Sequence, residues 1–109
     1  MKLEGIAELR AALEPKGPIN KVKQVVKLNG AELQRKAEST APYKTGTLRR
    51  SIGLKIENGG MRAVVEAEAE YAPYVEYGTR FMEAQPYMKP SFNSQQAQFK
   101  RDLDQLDRR

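Results

Sequence analysis

The chain has 109 residues, a net charge of +5, 39% hydrophobic and 30% charged residues, no histidine and no cysteine. That length suits one domain with a modest core, burying about 65% of the unfolded surface. The missing residue types exclude a disulfide framework, a thiolate nucleophile and an imidazole acid–base group, and they leave no soft zinc-type ligand set. No apolar run reaches the ~18 residues that a membrane-spanning helix needs.

Leu3, Ile6, Leu9 and Leu13 recur at three- and four-residue steps, which predicts a short amphipathic helix over 3–14. The same opening residues mix acids into the apolar pattern, unlike a signal peptide. Pro15, Gly17 and Pro18 interrupt this segment, and Pro18 suits the first turn of a new helix. Ile19, Val22, Val26, Leu33 and Ala37 then form one stripe, predicting a long helix over 18–40 with Lys21, Lys23, Lys27, Arg35 and Lys36 mostly off the stripe. Gly30, costing about 1 kcal/mol relative to alanine, marks either a close packing contact or a weak point.

Pro42 ends that helix and Thr45-Gly46 turns the chain. Leu48, Ile52, Leu54 and Ile56 alternate with polar residues, predicting a strand over 48–57 in which Arg50 is out of step. Asn58-Gly59-Gly60 is a hairpin signal, because asparagine and glycine accept positive φ. Met61, Ala63, Val65, Ala67 and Ala69 continue the alternation as a return strand over 61–70, with an alanine-rich face that leaves room for a closely packed helix.

The segment 71–89 is aromatic and stiff. Residues 71–92 hold six of the eight aromatic residues and three of the six prolines, whereas an ordinary loop is polar. Pro73 to Gly78 fits a single helical turn or a bent edge segment. Tyr74 and Phe92 are expected in the core, and the segment up to Gly78 is expected to close the hairpin core. Arg80 to Met88 is expected to form a partner-facing or partly mobile loop. A last helix is predicted over 90–107, carried by Phe92, Phe99, Leu103 and Leu106, with a polar face from Gln95 onward. The fold class that follows is α+β: an antiparallel hairpin or small sheet packed against a long helix and a C-terminal helix, all in one domain, 1–109.

The charge is unevenly spread. Residues 16–55 carry ten Lys/Arg against two glutamates (10 − 2 = +8), and residues 57–83 carry two arginines against six glutamates (2 − 6 = −4). Such separation steers oriented association, including contact between identical subunits. Glu66, Glu68 and Glu70 share one face of the predicted strand and could hold a hard cation, but the expected reading is a solvated sheet face. No residue is assigned a catalytic, metal-binding or cofactor-binding role, and no cofactor is expected.

Lys21, Lys23, Lys27, Arg35, Lys36, Arg49 and Arg50 could line a phosphate-binding surface. Single-strand binders interleave aromatic with basic residues, whereas here the aromatic residues alternate with Glu70, Glu76 and Glu83. This favours an assembly protein over a nucleic-acid module, since tyrosine and methionine suit interface cores.

Three segments carry a family resemblance: Leu3-Glu4-Gly5-Ile6 with Glu8-Leu9; APYKTGTLRRSI, 41–52; and YAPYVEYGTRFMEAQPYMKPSF, 71–92. Together they resemble the small head–tail joining (neck or tail-completion) proteins of long-tailed bacteriophages, typified by the Hong Kong 97-type coliphage. The short linker Pro15–Pro18 and Gly30 depart from the family pattern. The resemblance implies a non-enzymatic virion protein of a phage or prophage, made in the bacterial host. It implies a ring of identical subunits at the head–tail junction, meeting head-closure and tail-tube or tail-terminator proteins. On this reading Tyr77, Thr79, Arg80, Phe81, Met82, Tyr87 and Met88 form the contact surface. Lys21, Lys23, Lys27, Arg49 and Arg50 would face an acidic neighbour or, without sequence specificity, the DNA in the channel. A tail-terminator ring is the neighbouring alternative, and a basic nucleic-acid-binding module the alternative of another class.

Overall fold

The computed structural model describes residues 6–11, 18–41, 47–80 and 83–107. Its elements in order are β1 (Ile6–Arg10), α1 (Ile19–Thr40), α2 (Thr47–Ser51), β2 (Ile52–Glu57), β3 (Arg62–Ala67), α3 (Ala72–Tyr77) and α4 (Met88–Asp107). The three strands form one antiparallel sheet in the order β1-β3-β2. Helices α1 and α4 pack on each other, α1 against all three strands and α4 against β1. The fold is α+β, with the sheet packed against the long helix and the C-terminal helix.

The first element is a correction. Ile6–Arg10 is a strand, where the spacing of Leu3, Ile6, Leu9 and Leu13 predicts a helix over 3–14. Within these residues a period of two also exists: Ala7, Leu9 and Ala11 are buried, and Glu8 and Arg10 alternate with them. The free edge of β3 decides between the two patterns. Pairing Ala7 with Val65 and Leu9 with Ala63 satisfies backbone groups that a helix would leave exposed on β3. Leu3 and Leu13 lie outside the described residues.

Helix α1 follows its sequence stripe. Val22, Val26, Leu33 and Ala37 are buried, while Ile19, at the open end of the helix, is exposed. Pro18 is the N-cap residue, and its carbonyl accepts the N–H groups of Lys21 and Val22 at 2.9 and 3.0 Å. Ala41 leaves the helix with ψ 139°, the extended geometry forced on a residue before proline. Gly30 is a close packing contact: a Cβ there would lie 2.8 Å from the Ala63 Cβ and 3.0 Å from Leu54 Cδ1. A glycine on the helix and an alanine on the central strand let the two backbones approach.

The predicted strand over 48–57 is also shorter than its alternation suggests. Residues Thr47–Ser51 are a single helical turn, in which Leu48 is buried and Ser51 Oγ donates to the Leu48 carbonyl at 2.7 Å. Arg50, out of step with the alternation, belongs to that turn. The hairpin that follows pairs Glu57 with Arg62 around Asn58-Gly59-Gly60, all at positive φ (53°, 64° and 101°). The return strand spans Arg62–Ala67 rather than 61–70, and Ala63, Val65 and Ala67 are buried in the core.

Two polar features tie the layers together. On the sheet face away from α1, Arg62 of the central strand reaches Glu8 on β1 at 2.6 Å and Glu57 on β2 at 2.7 Å. The hydrogen bond to Glu8 raises the Arg62 pKa above its ordinary value. Between α1 and α4, the buried Gln95 Nε2 donates to Asn29 Oδ1 and to Glu32 at 3.0 Å, and Asn29 Nδ2 donates to Asp102 at 2.9 Å. Gln95 is therefore part of the helix interface, a correction to the expected polar outer face of α4. Each buried amide matters because an unmet polar group in a dry interface costs about 1–3 kcal/mol.

Candidate interaction surface

Helix α3 follows β3 through a turn in which the Ala72 N–H donates to the Ala69 carbonyl at 2.9 Å. Pro73, without an amide donor, occupies the first turn, where none is needed. Gly78 ends the helix at φ 78°, a left-handed value that suits glycine, and its N–H donates to the Tyr74 carbonyl at 2.8 Å. Six residues make little more than one turn, so the buried side of α3 is narrow. Ala72 and Glu76 fill it, and Val75 packs against the core.

The tyrosines point the other way. Tyr71, Tyr74 and Tyr77 are 41%, 55% and 50% exposed, and their three-residue spacing lines them along one side of the segment. Tyr74 is therefore corrected from core to surface, and the core is not closed by these rings. Phe92 packs partly buried against the core.

Glu76 holds the next part of the chain. Its buried carboxylate accepts the backbone N–H groups of Tyr87 and Met88 on Oε1, at 3.2 and 2.9 Å, and of Lys89 on Oε2 at 3.1 Å. These donors open α4, whose first N–H groups have no partner within the helix. A carboxylate there satisfies them and complements the positive end of the helix dipole. A second tie, from the Gln85 N–H to the Val75 carbonyl at 2.8 Å, draws the intervening segment back onto α3.

This anchoring divides the predicted contact residues. Tyr77, Thr79 and Arg80 are exposed. Phe81 and Met82 lie outside the described residues. Tyr87 and Met88 are buried in the core, so they stand behind the surface rather than on it, a correction for both positions. Glu83, Ala84, Gln85 and Pro86 are exposed between these sets. Burial, followed by the negative charge of Glu76, raises the Tyr87 phenol pKa well above its ordinary value. The Tyr87 hydroxyl has no hydrogen-bond partner among the described residues.

The basic residues fall into two groups. Lys21, Lys23 and Lys27 lie in the first half of α1, where the Lys23 stem covers the hairpin turn at Gly60. Arg49 and Arg50 lie on α2, beside the far end of α1. There they line an open cleft of about 450 Å³ with Arg35, Glu38 and Ser39. At 1.5 Å per residue, Lys21 and Arg35 are separated by about 21 Å along the helix. Arg35, which the sequence placed with the general basic face, belongs to this cleft. Among the described residues no group of three or more acidic side chains could hold a metal ion.

The architecture from β1 through the Glu76-Tyr77-Gly78 step meets one family model. Residues 6–78 match "Bacteriophage HK97-gp10, putative tail-component". The chain belongs to this family. The match runs from the start of β1 to the glycine that ends α3, and so includes the whole sheet, α1 and Glu76. No curated protein and no solved structure matches the chain. Membership makes it a phage tail-component protein of a structural family and associates it with the virion. No helix among the described residues is long and apolar enough to cross a membrane.

The role of Glu76 was hidden in the sequence. Glutamate between two tyrosine-containing steps reads as a surface acid, and only the return of residues 87–89 reveals what it binds. Asn29 and Gln95 were similarly hidden, although an asparagine on the apolar stripe of α1 was a visible signal for a buried polar contact.

Proposed function

We propose that this protein is a non-enzymatic structural component of the phage or prophage head–tail junction, where identical copies form a ring that joins or completes the tail. The observation that carries this reading is the exposed tyrosine side of α3, held on a rigid support inside a chain of the tail-component family. Three half-exposed tyrosines next to Thr79 and Arg80 offer large amphipathic area with few rotatable bonds, as interface cores use. Glu76 fixes that side from behind, so little ordering is left to offset on association. The neighbouring copy or the adjoining head-closure or tail-tube ring is the partner of this surface. The separation of Lys21, Lys23 and Lys27 from Arg49 and Arg50 leaves no single basic track for a duplex, which disfavours the nucleic-acid module.

Disrupting the reading frame in the producing phage tests the role. Filled heads beside finished but detached tails of normal length are the expected product, with the chain located at the junction by electron microscopy of complete particles. Overlong tails would assign the tail-terminator role instead. Fully infectious particles lacking the chain would refute both.

A further inference from the structure

The arginine cleft between α1 and α2 is a second surface, distinct from the tyrosine side of α3. Arg35 and Arg50 are exposed at it, and Arg49 is half-buried, its Nη2 reaching the Ala41 carbonyl at 3.5 Å. The exposed Arg35 and Arg50 guanidinium groups share this cleft with a single carboxylate, that of Glu38, and two like charges so placed favour a further anionic group between them. Guanidinium groups also pack flat on aromatic rings.

The chain carries a matching surface. Glu68 and Glu70 are exposed directly before Tyr71, so the segment from Glu68 to Tyr77 presents carboxylates and tyrosine rings together. Among the described residues, Arg35, Arg50, Glu68 and Glu70 hold no ion pair. The Glu68 N–H donates to the Ser51 carbonyl at 3.1 Å, which places both surfaces at one end of the sheet. The charges are thus oriented outward and left for an intermolecular contact.

We propose that the Arg35–Arg49–Arg50 cleft receives the Glu68–Tyr77 segment of a second copy of this chain. The contact rests on the ring reading above and names its receiving surface. Carboxylates of one copy pair with guanidinium groups of the next, and the tyrosines supply the apolar area on which those groups stack.

Charge exchange in the full chain, within the producing phage, is the test. R35E/R50E and E68K/E70K, each confirmed folded by circular dichroism, should each lower incorporation into particles about tenfold. Producing both variants together should restore incorporation, because each reversed surface then meets its complement. A photo-crosslinking residue at position 50 should join to residues 66–80 of a second copy. Incorporation of either variant at the wild-type level overturns the contact while leaving the tail role intact, as do a failure of the pair to complement and a crosslink to DNA or another protein. If the wild-type chain is absent from particles, the tail role fails. The same charge exchange is then read by sedimentation of the purified chain, where association unchanged by either variant, or absent in the wild type, overturns the contact.

Discussion

The Glu76 carboxylate accepts the Met88 backbone N–H at 2.9 Å, joining a six-residue helix to the start of a twenty-residue one. With its bonds to Tyr87 and Lys89 it satisfies three donors at one helix start. Hydrogen bonds to a charged acceptor contribute about 1.5–3 kcal/mol each, though not additively. Glu76→Ala should therefore destabilise the protein by about 3 kcal/mol or more, and Glu76→Gln, which keeps one acceptor oxygen, by about 2 kcal/mol. Denaturant unfolding measures both. Wild-type stability in the alanine variant would contradict this role.

Gly30 faces Ala63 at a distance that admits no side chain. Gly30→Ala gains about 1 kcal/mol of helix propensity. It also forces a Cβ to 2.8 Å from that of Ala63, an overpacking that costs about 1–3 kcal/mol. Net destabilisation of up to about 2 kcal/mol is expected from the difference of these magnitudes. Adding Ala63→Gly should recover part of it, and a double-mutant cycle with no coupling would show that the two positions do not touch.

Tyr87 combines burial with a hydroxyl that has no partner among the described residues. Removing that oxygen relieves an unmet polar group, so Tyr87→Phe should leave stability unchanged or raise it. The raised phenol pKa also sets a pH dependence. The unfolded chain loses the tyrosine proton near pH 10 while the folded chain retains it. Stability from this group is therefore complete below about pH 10 and falls as pH rises above it. Melting temperatures between about pH 8 and 11 should drop less steeply in Tyr87→Phe than in the wild type. Parallel curves would count against it.

Arg62 links both edge strands to the central one through Glu8 and Glu57. Arg62→Met should leave the hairpin paired but loosen β1, which has no turn joining it to the sheet. Hydrogen exchange reads this directly: the β1 amides should lose protection relative to those of β2. Equal loss on both strands, or none, would contradict the assignment.

The sequence was most informative where structure depends on near neighbours. Val22, Val26, Leu33 and Ala37 mark the buried side of α1, and Asn58-Gly59-Gly60 marks the turn, because both signals act within a few residues. The Leu3–Leu13 spacing misled for the same reason. It reports what a segment would do alone, and Ile6–Arg10 is paired with a strand more than fifty residues away. Arg50, out of step in its alternation, was a local sign that α2 would replace the start of the predicted strand.

By itself, the sequence determined the α+β class, the hairpin, the two long helices, the missing histidine and cysteine chemistry, and the family to which the chain belongs. Periodicity, turn residues and composition suffice for these, since each is a property of residue type and spacing. Only the tertiary structure decided that Tyr74 faces outward, that Tyr87 and Met88 do not, that Glu76 caps a helix eleven or more residues further on, and that Arg35 joins Arg49 and Arg50. Those outcomes depend on which backbone donors and which charges the fold brings within a few ångströms, and chain spacing does not contain that distance.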